Sequence, residues 1–173
     1  MPKKAISPSV NSTFFDLSVY EALQAHGYRV KGCLGSGNYG IVVCVEKGAD
    51  MYAAKIIPKE LCSAGELKMW PSLSHPNVLD LVEIITCEEA YIFVTLCLPI
   101  TLDKLLVVWK GKENMFDITV SWIRDFLSGT QYLHERGVCH LDLKLNNVLV
   151  ADDGRVVLCD YTSLSFYSES TTK

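Results

Sequence analysis

No apolar run in the sequence approaches the roughly 18 residues that a membrane-spanning helix needs, so no span is expected. Positive charge is not in excess. Sixteen Lys and Arg stand against twenty Asp and Glu, a formal net charge of −4, and the aromatics are not interleaved with basic runs. Nucleic acid is therefore not the expected partner. The seven cysteines (Cys33, Cys44, Cys62, Cys87, Cys97, Cys139, Cys159) contain no CxxC, are odd in number and sit mostly in apolar stretches. This speaks against a disulfide framework or a zinc site and for reduced, buried thiols. The expectation is an intracellular, cytoplasmic protein. Met1-Pro2-Lys3-Lys4 is followed by no apolar core, and position 2 is not Gly, so neither secretion nor myristoylation is indicated. Two lysines are too few for a nuclear signal, and Asn11-Ser12-Thr13 is a chance match to a glycosylation acceptor in a cytosolic chain. Internal repeats and low-complexity tracts are also missing.

What is present is apolar. The 173 residues are 49% hydrophobic, far above disordered chains, and the chain should fold. A mean hydropathy of +0.20 is high for a soluble domain this small, which points to surface that a partner or further chain covers, although ordinary compositional scatter would also produce it. Residues 1–12 read as a flexible lead-in, and Phe14 to His26 as a short helix of imperfect period. From Tyr28, β-branched and aromatic runs alternate with Gly-rich turns: Tyr28–Lys31, Ile41–Glu46 and Met51–Ile57, then Val78–Thr86 and Ala90–Leu98. These predict antiparallel strands. A helix is expected over Leu61 to Leu73, ended or bent by Pro71. After Pro99, apolar positions recur at helical spacing through Leu133. Val148–Val150 and Val156–Leu158 then flank Asp152-Asp153-Gly154 as a hairpin.

Gly35-Ser36-Gly37-Asn38-Tyr39-Gly40 is a GxGxxG, which a functionless Gly-rich hairpin could also produce. Its context separates the nucleotide folds. In a dinucleotide-binding unit the glycines open a helix, whereas here Ile41-Val42-Val43 continues as a strand, and no GK[ST] follows. Such a turn lets backbone N–H groups lie over phosphates as a lid. Lys55 interrupts an apolar strand, where a lysine without a function would snorkel to solvent. Glu66, on the next helix, is a candidate partner, although a helix-surface Glu is usually just solvated. His140-Leu141-Asp142-Leu143-Lys144-Leu145-Asn146-Asn147 and Leu158-Cys159-Asp160 carry the remaining chemistry. Phosphoryl transfer needs a carboxylate for the attacking hydroxyl, a cation near the phosphate and hard oxygen ligands for magnesium. Asp142, Lys144, Asn147 and Asp160 supply these in that order. A polar loop before a hairpin would account for the first three, but not for Asp160 ending an apolar strand.

With these motifs the chain resembles the eukaryotic protein kinases of Ser/Thr type over about residues 28 to 165. Gly35-x-Gly37-x-x-Gly40-x-Val42 resembles their Gly-rich loop, Ala53-Ala54-Lys55 their strand-three lysine motif and Glu66, ahead of His75-Pro76-Asn77, their helix-C glutamate. His140-Leu141-Asp142 to Asn147 resembles HRDxxxxN, and Asp160-Tyr161-Thr162 stands in place of DFG. The spacings of five residues from Asp142 to Asn147 and eighteen from Asp142 to Asp160 agree with typical kinases.

The resemblance implies an α+β, protein-kinase-like fold: an antiparallel β-rich N-lobe with one helix over 28–98, after a 1–27 lead-in, and a truncated, mainly helical C-lobe over 99–173. It implies ATP and Mg2+ as cofactors and a protein serine/threonine kinase activity, a transferase phosphorylating protein. Asp142 would be the catalytic base, Lys144 a phosphate contact, Lys55 and Glu66 an ion pair, and Asn147 and Asp160 the metal ligands. Gly35, Ser36, Gly37, Asn38, Tyr39, Gly40, Val42, Ala53, Lys55, Thr95, Leu96 and Cys97 would bind ATP, with a hinge near Leu96 to Pro99 and Thr95 or Val94 guarding the adenine pocket.

Departures from the pattern carry their own expectations. Leu141 replaces the arginine that pairs with an activation-loop phosphate, so that control is expected to be absent. Thr162 replaces a glycine, which puts mobility and magnesium geometry in question. The short stretch from Lys55 to Glu66 implies a weakly anchored helix C. No APE motif precedes Lys173, so the substrate platform is expected to be missing and the helix over Trp122 to Leu133 to expose apolar surface available for association. A different class of function is then a nucleotide-binding decoy or regulator of a partner kinase; a gene product with no function of its own is a third. The missing large lobe favours the decoy for this chain, while the intact Asp142, Asn147 and Asp160 favour the enzyme.

Overall fold

The computed structural model describes residues 16–37, 40–109, 114–161 and 165–166. They fall into two compact units, one formed by the chain up to Cys62 together with Leu81–Cys97, the other by Ser63–Asp80 together with the chain from Leu98.

The first unit opens with helix α1 (Leu17–Ala25), started by Asp16, whose Oδ1 accepts from the Val19 N–H at 3.0 Å. A cap of this kind is worth about 1 kcal/mol. Strands β1 (Arg29–Gly37), β2 (Gly40–Lys47), β3 (Asp50–Pro58), β4 (Leu81–Thr86) and β5 (Ala90–Leu96) form one antiparallel sheet in the order β1-β2-β3-β5-β4. The β-branched runs seen in the sequence thus become strands. Val78–Leu81 is the exception at an edge, since β4 begins only at Leu81 and the His75–Val78 stretch closes on itself by a His75–Val78 bridge.

Register divides the sheet into two faces, because directly opposed residues point the same way. Ile41, Val43 and Val45 on β2 oppose Ile56, Ala54 and Tyr52 on β3, which oppose Ile92, Val94 and Leu96 on β5. Most of this face is buried under α1, with Val19 and Leu23 packed among Ile41, Val43, Ile56, Ile85 and Val94. Val42, Lys55 and Phe93 line up on the opposite face, as do Cys44, Ala53 and Thr95. The helix end is tied to the sheet by Glu83, which accepts from the Tyr28 hydroxyl at 2.6 Å and from His26 Nδ1 at 2.8 Å. Burial raises the Glu83 pKa, but those hydrogen bonds and the nearby Lys47 ammonium outweigh it and leave the carboxyl below its ordinary value.

The second unit begins with α2 (Ala64–Met69), which runs into a single 3-10 turn over Trp70–Ser72. The expected helix over Leu61 to Leu73 is therefore shorter at both ends. Ser63 caps it, its Oγ accepting from the Glu66 N–H at 3.1 Å, and Pro71 cannot continue an α-helical ladder. The helix is short but held, since the buried Trp70 donates its Nε1–H to the Leu79 carbonyl at 2.8 Å.

Strand β6 (Ile100–Thr101) leads into α3 (Leu102–Trp109), followed by α4 (Met115–Glu135) and β7 (Val138–Cys139). Strands β8 (Val148–Val150) and β9 (Val156–Leu158) form the expected hairpin, with β6 added on the β8 side. Strand β10 (Ser165–Phe166) pairs with β7. Helix α4 buries Trp122, Gly129, Tyr132 and Leu133. Its opposite stripe, Phe116, Val120, Ile123 and Leu127 at spacings of four, three and four, is exposed. Among the described residues no helix is long and apolar enough to cross a membrane.

Candidate active site

The segment from His140 to Asn147, which carries the candidate catalytic residues, lies in the second unit, between β7 and β8. His140 is buried, and its Nε2–H donates to the Cys159 carbonyl at 2.9 Å. That bond joins the loop to the segment that follows β9. The Asp142 N–H returns to the His140 carbonyl at 2.9 Å, turning the chain tightly through Leu141, which has a φ of 58°. Left-handed backbone of this kind is disfavoured for a branched side chain. Lys144, Leu145 and Asn146 then lead through a 3-10 turn over Leu145–Asn147 into β8, whose apolar residues anchor the loop.

Asp142, Lys144 and Asn147 come together. The Lys144 ammonium reaches Asp142 Oδ2 at 2.7 Å, and Asn147 Nδ2 donates to the same oxygen at 2.8 Å and to the Asp142 carbonyl at 3.0 Å. The Lys144 hydrogen bond is the main cause of a lowered Asp142 pKa; slight burial and the Asp160 charge act against it, while Asn147 reinforces it. The carboxylate is thus held ionised through Oδ2.

Asp160 follows β9 by two residues and has a φ of 66°. Asn147 is buried, its carbonyl accepts from the Cys159 N–H at 3.0 Å, and its side-chain nitrogen is engaged by Asp142. The amide oxygen of Asn147 and the Asp160 carboxylate are hard donors, which suits Mg2+, an ion that keeps several waters and takes few protein ligands. Among the described residues there is no group of three or more His, Cys, Asp or Glu side chains poised for a metal.

In the first unit, Gly35, Ser36 and Gly37 end β1 and Gly40 opens β2, with Gly37 opposite Gly40. Asn38 and Tyr39 lie outside the described residues, as does Thr162. Gly40 has a φ of 151°, and a Cβ there would collide with the Ile56 carbonyl oxygen, so this position is closed to any other residue. Val42, Ala53, Lys55 and Thr95 share the sheet face away from α1. Register thereby separates Thr95 from Val94, the two candidates for guarding the adenine pocket, because Val94 points into the core. The Thr95 hydroxyl reaches the Leu96 carbonyl at 3.3 Å. Leu96 is exposed, and the Cys97 N–H donates to the Met51 carbonyl at 3.2 Å. Burial, with the Cys44 thiol beside it, pushes the Cys97 pKa up. Glu66 belongs to the second unit, on α2, and is fully buried.

Three residues beyond the expected set support this site. His140 carries the loop-to-loop bond just described. Asn77 donates its Nδ2–H to the Val156 carbonyl at 2.9 Å and accepts at its own carbonyl from Leu158, fixing β9. Tyr161 is fully buried beside Asp160. The only sequence signal for these is their place inside or beside the motifs, since their partners are distant in the chain.

The family model for the protein kinase domain matches residues 28–173. The chain is 29% identical over 143 residues to a probable serine/threonine-protein kinase MRK1 homolog of Encephalitozoon cuniculi (strain GB-M1), covering 79% of this chain and 44% of that protein. It is 30% identical over 156 residues to a probable myosin light chain kinase of Dictyostelium discoideum, covering 83% of this chain and 32% of the relative. A calcium/calmodulin-dependent protein kinase kinase of Caenorhabditis elegans is 27% identical over 173 residues, 80% of this chain and 32% of its own length. The chain thus spans less than half the length of these curated relatives. The motif order, the sheet with its lysine-bearing face, the Asp142 loop and the domain match agree, and the chain belongs to the protein kinase domain family.

Proposed function

We propose that the chain acts as an ATP-dependent protein serine/threonine kinase. The single observation that carries this reading is the Asp142 carboxylate, held ionised through Oδ2 by Lys144 at 2.7 Å and Asn147 at 2.8 Å. Its Oδ1 orients the acceptor hydroxyl and takes its proton as the hydroxyl oxygen bonds to the γ-phosphorus. The bond from that phosphorus to the β–γ bridging oxygen breaks, and ADP leaves with the electron pair. Lys144 offsets charge on the transferred phosphoryl group, and its place two residues after the base favours Ser/Thr over Tyr acceptors. Bound Mg2+ would neutralise charge on the phosphate oxygens, with Asn147 and Asp160 as the residues that hold it. Lys55 would serve the α- and β-phosphates. The backbone from Gly35 to Gly40 would cover them, and Val42, Ala53, Thr95, Leu96 and Cys97 would take the adenine.

The test is label transfer from γ-labelled ATP and magnesium to a generic basic protein, with Asp142→Asn beside wild type. Loss of a general base costs roughly 100-fold to 10,000-fold in rate, and the variant should fall by that much. Equal transfer by both proteins would remove Asp142 from the chemistry. Nucleotide-dependent thermal stabilisation without any transfer would leave a nucleotide-binding regulator of another kinase in place of an enzyme.

A further inference from the structure

Asp160 is the proposed magnesium ligand that sits in left-handed backbone, and the structure brackets it with a tether on each side. Before it, the Cys159 carbonyl accepts from His140 Nε2 at 2.9 Å. After it, Tyr161 turns inward and is fully buried, its ring edge-on to Trp70 at 5.0 Å and to His140 at 5.7 Å. A phenylalanine could fill the same space. The hydroxyl does something a ring alone cannot: it donates to the Leu158 carbonyl at 2.6 Å and accepts from the Leu79 N–H at 2.9 Å. Leu79 in turn donates to the Leu158 carbonyl at 2.9 Å and accepts from Trp70 at its own carbonyl. Residues 158 to 161 are thereby closed into a loop whose two ends, Leu158 and Tyr161, are bonded to each other and to the strand-like segment at Leu79.

Left-handed backbone persists at a non-glycine residue only where its surroundings over-determine it. We propose that the Tyr161 hydroxyl is a latch that holds Asp160 in this conformation and so keeps its carboxylate set for magnesium. Tyr161 is thus a positioning residue, acting through Asp160. This rests on the phosphoryl-transfer reading above, which names Asp160 as a ligand. Without the hydroxyl the ring stays packed, but the 158–161 loop loses its closing bonds and Asp160 can relax to ordinary backbone.

The experiment uses the full chain as wild type, Tyr161→Phe and Trp122→Phe. The last removes a comparable indole bond, from Trp122 Nε1 to the Gly154 carbonyl at 3.1 Å, elsewhere in the same unit. Binding of a non-hydrolysable ATP analogue is measured by calorimetry with and without magnesium, and amide exchange is followed by NMR. Wild type should bind more tightly with magnesium. Tyr161→Phe should lose at least threefold of that gain, keep magnesium-free affinity within twofold, and speed exchange at the Asp160 and Tyr161 amides at least tenfold. Trp122→Phe should change neither.

Full retention of the magnesium gain in Tyr161→Phe would overturn the latch alone, as would an equal loss with and without magnesium. A wild type with no magnesium gain would overturn the phosphoryl-transfer reading and the latch with it. Should the phenylalanine variant fail to fold, wild type still decides: the Leu79 and Asp160 amides should open with one shared free energy, and independent opening overturns the proposal.

Discussion

Leu23 lies outside the segment matched by the protein kinase family, which starts at Tyr28, yet it is fully buried. Replacing it with Ala tests whether α1 is part of the folded unit or an appendage. The change removes about three carbon groups, worth roughly 2.4 kcal/mol at about 0.8 kcal/mol each. A cavity penalty is added, because β2 and β3 behind the helix, with Ile41, Val43 and Ile56 on them, cannot collapse into the gap. The expected loss is about 3 kcal/mol, within the range of roughly 2–5 kcal/mol for buried Leu→Ala changes. For a chain of this length that is a fall in Tm of roughly 6–12 °C. Thermal and urea unfolding followed by far-UV circular dichroism would read it, with Leu17→Ala as the control. Leu17 is 70% exposed and should stay within about 0.5 kcal/mol of wild type. A loss below about 1 kcal/mol for Leu23→Ala, or an equal loss in both variants, would refute the argument that α1 closes the core of the first unit.

Two other tests follow from the second unit. Gly129→Ala places a Cβ 2.5 Å from the Asn77 carbonyl oxygen and 3.1 Å from Leu158 Cδ1. The overpacking should cost about 1–3 kcal/mol and outweigh the helix-propensity gain of roughly 1 kcal/mol; a raised urea midpoint would show that α4 can move away. At Asp142 the folded-state pKa is lowered, chiefly by the Lys144 hydrogen bond. Stability from the ionised form is thus complete above the ordinary carboxylate value of about 3.9 and is lost as pH falls through the lowered one. Lys144→Ala should shift the Asp142 carboxyl titration, followed by carbon NMR, upward in pH; an unmoved titration would mean the ion pair does not form in solution.

What could be read in the sequence was local. Val148–Val150, Asp152-Asp153-Gly154 and Val156–Leu158 announce a hairpin because β-branched runs and a turn signal lie side by side. Asp142, Lys144 and Asn147 also meet within six positions, so their order in the chain nearly dictates their contact. The extent of α2 was harder to read, since apolar spacing continues past Pro71 although the ladder does not. The choice between Thr95 and Val94 needed the register of β3 on β5, which no window of sequence contains. The role of Tyr161 was hidden for a related reason: its partner at Leu79 is 82 positions away, and a tyrosine there reads simply as a substitute for an apolar ring.

The left-handed turns at Leu141 and Asp160 have a consequence for how this loop tolerates change. At Leu141 this costs roughly 1–2 kcal/mol relative to relaxed backbone, and less at Asp160 because a short polar side chain tolerates the conformation, where the whole margin of a typical domain is only about 5–15 kcal/mol. Selection for stability alone would have placed Gly or Asn at these positions. The strained residues remain, and a drift toward greater robustness would begin by eroding this loop, so stability and competence are in opposition here and most other sites can improve without that conflict.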